Sequence, residues 1–166
     1  MIAGFSGHQD LGDEVKIQWV RCELERLLPE LNVESGCVSL AAGADQLFAD
    51  VLLKNSLPYK AIIPCRRYEE TFGTEERAKY FFLLSKARER VDLDFEDPSE
   101  IAFHQAGKRV VEESSLLIAV WDGQRAHGLG GTGDIVRYAL QRGKVVVHIN
   151  HLLRTVEQID GLEDFH

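Results

Sequence analysis

A chain of 166 residues, 45% hydrophobic and 28% charged, has the make-up of a globular domain with enough length for a sizeable core. Its 27 acidic against 19 basic residues leave a net charge of −8, which speaks against nucleic acid as a partner, since broad binding of that kind needs a basic surface. No apolar run approaches the roughly 20 residues that cross a membrane, so no membrane partner is expected.

Residues 1–5 read as a short apolar strand with no charged leader ahead of it, the pattern of a cytoplasmic protein. The turn "SGHQDLGD" follows. Residues 14–31 place Val15, Val20, Leu24, Leu27 and Leu28 at near-helical spacing. Residues 37–41 are strand-like, 44–53 helical and 59–64 a third strand. An amphipathic helix is expected over 74–90 and a short strand over 91–95. Residues 98–113 read as a helix with Pro98 in its first turn, where proline is tolerated. A strand over 116–121, a helix over 135–142 and a strand over 144–149 complete the order. Cys22, Cys37 and Cys65 are odd in number, lack CxxC spacing and have apolar neighbours, so reduced core thiols are expected.

Strands that alternate with helices and are apolar throughout imply a parallel sheet covered on both faces. The expected fold is α/β: Rossmann-like, doubly wound and mainly parallel, in one domain over residues 1–166. Such folds bind ligands outside the carboxyl ends of their strands. Three of those ends carry unusual turns: "SGHQD", "AAGADQ" and "GLGGTGD". Gly123, Gly128, Gly130, Gly131 and Gly133 crowd the stretch between a strand and a helix, and free N–H groups there suit phosphate. Arg66, Arg67, Lys108, Arg109 and Arg125 are candidates for a local positive pocket.

Familiar motifs do not account for that stretch. Gly128-x-Gly130-x-x-Gly133 matches the dinucleotide fingerprint literally but follows a late strand instead of the first. No Lys-Ser or Lys-Thr follows the glycines as in a P-loop. His148 and His151 lie too far round to converge, His8 and Asp10 make only two ligands, and no zinc spacing occurs, so no metal and no cofactor are expected. Ser6, His8 and Asp45 could compose a triad, but Gly-x-Ser-x-Gly is absent.

Three segments together resemble single-domain members of the SLOG superfamily. They are "GFSGHQDLGD", "SLAAGADQLFADVLL…YKAIIPCRRYEETF" and "AVWDG…GLGGTGDIVRYALQRGKVVVHIN", which span nearly the whole chain. That group has a Rossmann-like sheet and binds nucleotides or nucleotide-derived ligands; it includes cytokinin-activating phosphoribohydrolases, molybdenum-cofactor carrier-like proteins, DNA-processing proteins and sensors of bacterial immunity systems. The resemblance implies a bacterial, homo-oligomeric protein whose pocket is built from Ser6, Gly7, His8, Gly43, Asp45, Gln46, Gly131, Thr132 and Gly133. Gln9 stands where the group usually has arginine, and Ile135 where the phosphoribohydrolases have their catalytic glutamate.

Two functions follow as expectations. The first is binding or sensing of a nucleotide-type ligand: Gly130 to Gly133 would donate to phosphate, His8 and Gln9 would supply polar contacts, and Asp45 would accept from a ribose hydroxyl. Asp45 reads equally as the N-cap of the helix that starts near Ala44, and Asp134 as a first-turn carboxylate favoured by the helix dipole. The second is a hydrolase cleaving an N-glycosidic or phosphate bond, with Asp45, Asp122 or Asp134 as base or nucleophile.

Overall fold

A computed structural model describes residues 1–124 and 131–165. Seven strands form one sheet: β1 (Ile2–Gly7), β2 (Ser35–Val38), β3 (Tyr59–Ile63), β4 (Glu89–Asp92), β5 (Leu116–Val120), β6 (Val145–Asn150) and β7 (Thr155–Ile159). Their order is β4-β3-β2-β1-β5-β6-β7, parallel throughout except for β7, which runs antiparallel to β6. Helices α1 (Glu14–Glu30), α2 (Ala44–Lys54), α3 (Thr74–Lys86), α4 (Glu100–Glu112) and α5 (Thr132–Gln141) connect them. This is the expected Rossmann-like α/β fold.

Side-chain alternation explains why the strands are apolar throughout. Leu116, Ile118 and Val120 of β5 join one core with α1, α2 and α3, whereas Leu117 and Ala119 join a second with α4 and α5. Successive residues of a strand face opposite sides, so a strand covered twice has no polar face. Close packing needs small residues where elements touch. A Cβ on Gly107, in the middle of α4, would overlap the Ile135 side chain of α5, and glycine there lets the two helices meet.

Several boundaries differ from the sequence reading. Strand β2 stops at Val38 because Leu40 takes a φ of 60° and turns the chain out of the sheet. Helix α3 ends at Lys86; the Arg88 N–H donates to the Tyr59 carbonyl, and pairing with β3 overrides the helical spacing of the next residues. The resulting β4, Glu-Arg-Val-Asp, is a charged edge that resists further strand addition. Ser99 and not the Pro98 turn starts α4: its hydroxyl accepts from the Ala102 N–H at 3.1 Å. Helix α5 begins three residues earlier than expected. Strand β7 went unseen because its exposed, largely polar residues carry no apolar run. Cys37 and Cys65 are buried, but Cys22 is exposed, which corrects its reading as a core thiol.

Candidate functional site

The sheet changes direction of winding between β1 and β5, neighbours in space whose helices lie on opposite faces. There the carboxyl ends diverge and leave room that helices cannot fill. A cavity of about 620 Å³ opens at that point, lined by the ends of β1, β2, β3 and β5 and by the starts of α2, α4 and α5. Ser6, Gly7, His8 and Gln9 come from β1 and its turn, Asp45 from α2, Asp122 from the end of β5, and Gly131, Thr132 and Gly133 from the start of α5. These are nine of the expected residues, brought to one place by three connections, β1–α1, β2–α2 and β5–α5.

The remaining expected residues lie elsewhere. Gly43 has a φ of 83°, and a Cβ there would strike the Gln9 carbonyl, so it seats the β1 turn against α2. Gln46 is buried and donates to the Leu40 and Glu76 carbonyls at 3.4 and 3.0 Å, tying α2 to α3. Asp134 does not line the cavity; its N–H bonds back to the Gly131 carbonyl. Gly130, Gly128 and Arg125 fall outside the described residues. The other basic candidates face outward. Arg66 pairs with Asp94 and Glu96, Arg67 with Glu70 and Asp97, Arg109 with Glu113, and Lys108 covers the Tyr138 ring.

At the α5 end, the N-cap is Gly131, with no side chain capping the helix. The Asp134 and Ile135 N–H groups both turn to the Gly131 carbonyl. Those of Thr132 and Gly133 have no acceptor among the described residues, and the positive end of the helix dipole adds to them. Ser6 Oγ lies 3.4 Å from Thr132 Oγ1 beside this pair. Ile135, at the position of the phosphoribohydrolase glutamate, lines the same cavity with its side chain packed on Gly107.

At the α2 end, Asp45 is not an N-cap, since Gly43 holds that position. Its Oδ2 accepts from the Ala41 N–H at 3.2 Å. Burial raises its pKa to about 7, and that single hydrogen bond lowers it only in part. Asp122 is held by the Gln124 N–H, which donates to Oδ1 at 2.9 Å.

Aromatic residues that were not foreseen complete the walls, and two histidines weighed in the sequence lie behind them. Phe5, Tyr68, Phe72 and Phe103 form an aromatic side, with Tyr68 5.0 Å from Phe72 and 6.1 Å from Phe103 between ring centres. Tyr68 sits on a single 3₁₀ turn (Tyr68–Thr71) just past β3, a place that the rule of carboxyl-end loops could have flagged. His151 is buried at the end of β6, with Nε2 3.4 Å from His8 Nδ1. Burial first, and then the His8 charge, lower its pKa, so it stays neutral at pH 7. His148 turns away and stacks on Trp121, its Nε2 3.0 Å from the Trp121 carbonyl. The two histidines flanking "IN" therefore serve different neighbours.

No protein-family model matches the sequence, and a search of curated proteins finds no match. Solved structures do match. The DNA processing protein A (DprA) of Streptococcus pneumoniae superposes with a TM-score of 0.63 at 15% identity, over 98% of this chain and 59% of that one. DprA of Helicobacter pylori gives 0.61 at 15% identity, over 89% and 64%. The protein TM1055 gives 0.55 at 11% identity, over 86% and 70%. The fold they share is the Rossmann-like α/β fold. The chain spans about three-fifths of the pneumococcal protein's length, and at such identities the likeness is one of fold. The Helicobacter structure is described for its binding of single-stranded DNA. No helix among the described residues is long and apolar enough to cross a membrane.

Proposed function

We propose that residues 1–166 form one nucleotide-binding domain whose cavity holds a nucleotide or nucleotide-derived ligand in the cytoplasm. The observation that carries this is the pair of N–H groups, Thr132 and Gly133, that have no acceptor among the described residues, at a helix start that opens into the cavity at the topological switch point. The aromatic wall suits a base, because stacking is worth about 1–3 kcal/mol per base. Carboxylates at Asp45, Glu100 and Asp122 in the lining favour a ligand with few phosphates over a polyphosphate.

Binding or sensing is the favoured role over hydrolysis. Glycosidic cleavage needs a carboxylate beside the anomeric carbon, and on α5 that place belongs to the apolar Ile135. Asp45 and Asp122 remain the candidate bases for the hydrolase alternative. Single-stranded DNA, bound by the Helicobacter relative, sets a limit on the argument from net charge. A single strand threaded past this cavity is distinguishable from a free nucleotide by competition between oligonucleotide and mononucleotide.

Mass spectrometry of small molecules released from natively purified protein, followed by calorimetry with the compound found, tests the proposal. A nucleotide recovered unchanged and bound at one site per chain supports it; loss of the cavity-lining variants' affinity for oligonucleotides alone would replace it. We also propose a homo-oligomer. The support comes from α3, where Phe81 and Phe82 are both exposed. Light scattering giving a constant mass near 18.7 kDa at every concentration would overturn this.

A further inference from the structure

Two polar side chains in the cavity have hydrogen-bonding capacity that the described residues do not use. Asp45 is 6% exposed and Tyr68 4%, and both line the cavity. Asp45 spends Oδ2 on the Ala41 N–H, while among the described residues no hydrogen bond reaches its Oδ1 or the hydroxyl of Tyr68. Strands β2 and β3 are parallel neighbours, so their carboxyl ends bring the start of α2 and the Tyr68 turn to the same side of the cavity. The Asp45 charge is among the influences that, after burial, push the Tyr68 phenol well above its ordinary pKa. Buried polar groups are nearly always paired, and an unpaired couple facing one void is what a ligand's polar edge would complete.

We infer that Asp45 and Tyr68 form a polar subsite, on the β2–β3 side of the cavity, for a neutral ligand edge that offers an N–H or O–H donor beside an acceptor. Asp45 Oδ1 takes the donor, and the Tyr68 hydroxyl donates to the acceptor. Tyr68 stays neutral at any working pH and can donate throughout. The shared chemistry is that of a ribose hydroxyl pair or of a base edge. This inference rests on the nucleotide reading, with phosphate at the α5 end.

A proton comes with it. Asp45 has a pKa of about 7 in the free protein, so near neutrality a large share must lose its proton before accepting from the ligand. The other titratable groups lining the cavity are His8 from the β1 turn, Tyr68 itself, Glu100 of α4 and Asp122 after β5. Helices α1 and α3 contribute none. Affinity therefore rises with pH through about 7, by about tenfold between pH 6 and pH 8 for one ionisation. The ligand's own phosphate also titrates near pH 6, so the informative quantity is wild type relative to Asp45→Asn.

The test is calorimetry at pH 6, 7 and 8 with AMP, GMP, CMP and UMP on the wild type, Asp45→Asn and Tyr68→Phe. The tightest nucleotide is then compared with its 2′-deoxy and 3′-deoxy forms and with the form lacking the base's exocyclic group. We expect the wild-type pH rise to flatten in Asp45→Asn, and Tyr68→Phe to bind about fivefold more weakly at every pH. A loss confined to the deoxy forms assigns the subsite to ribose; a loss confined to the base analogue assigns it to the base edge. Nucleotide binding with the same pH profile in Asp45→Asn, and full affinity in Tyr68→Phe, overturns the subsite alone. Absence of binding by all four nucleotides at every pH overturns the nucleotide reading and the subsite with it.

Discussion

Helices α2 and α5 begin on the two sides of the cavity with the same local recipe, a glycine N-cap and no side chain capping the first turn. Each carries an aspartate soon after, Asp45 in one and Asp134 in the other. At the first start the protein supplies most of the acceptors itself, only the Asp45 N–H having none among the described residues. The Ala44 N–H donates to the His8 carbonyl at 3.0 Å, the Gln46 N–H reaches the Ala41 carbonyl, and the Asp45 carboxylate folds back on the Ala41 N–H. It leaves the second open, with Thr132 and Gly133 N–H groups unclaimed among the described residues. A helix start is thus an anion site only when the chain before it does not supply the acceptors. The difference lies in the turn after β1, which reaches α2 and not α5.

The largest expected effect sharpens this contrast at α2. A carboxyl whose pKa rises from its ordinary value to about 7 on folding binds a proton in the native state that the unfolded chain has already lost. Stability therefore falls as pH rises between about 4 and 7, by on the order of 4 kcal/mol at most. Asp45→Asn removes that loss while keeping an oxygen for the Ala41 N–H. Urea unfolding of the variant should match the wild type at pH 4 and exceed it by several kcal/mol at pH 8; equal curves at pH 8 would show that Asp45 is solvated.

Next comes the open start. Gly131 has a φ of −66°, which any residue adopts, so Gly131→Val costs little stability. Its side chain stands before the Thr132 and Gly133 N–H groups, and each lost bond to a charged group is worth roughly 1.5–3 kcal/mol. Nucleotide affinity should fall about a hundredfold or more, and undiminished affinity would mean that phosphate does not bind there.

The closed start should respond in the opposite manner. Gly43→Ala combines a positive φ with overlap onto the Gln9 carbonyl, and about 2 kcal/mol of folding stability should be lost. A thermal midpoint unchanged from the wild type would break the comparison, because the two glycines would then be alike.

The smallest expected effect is none. With Ile135 on the cavity wall, nucleoside monophosphates should pass through prolonged incubation uncleaved, as judged by chromatography. Release of free base that vanishes in Asp134→Asn would show a carboxylate from α5 acting on the ligand, and the hydrolase reading would take precedence.

Much of this architecture was legible in the residues alone. Apolar strands spaced by amphipathic helices dictate a sheet covered twice, because nothing else buries both faces of Leu116–Val120. The unusual turns at the ends of β1, β2 and β5 marked the cavity, since glycine and small polar residues gather where backbone must stay accessible. What tertiary structure alone decided was which of those groups are free. Gly43 and Gln46 sit in the same motif as Asp45, yet their neighbours, Gln9 and α3, take them for packing. Tyr68 reaches the cavity, and His151 reaches His8 on its wall, only because parallel strands bring distant carboxyl ends to one edge. The bounds of β4, expected over 91–95, and the whole of β7 likewise follow from pairing with a neighbour already in the sheet. Local sequence specifies what a segment can offer; which offers remain unanswered depends on contacts between segments far apart in the chain.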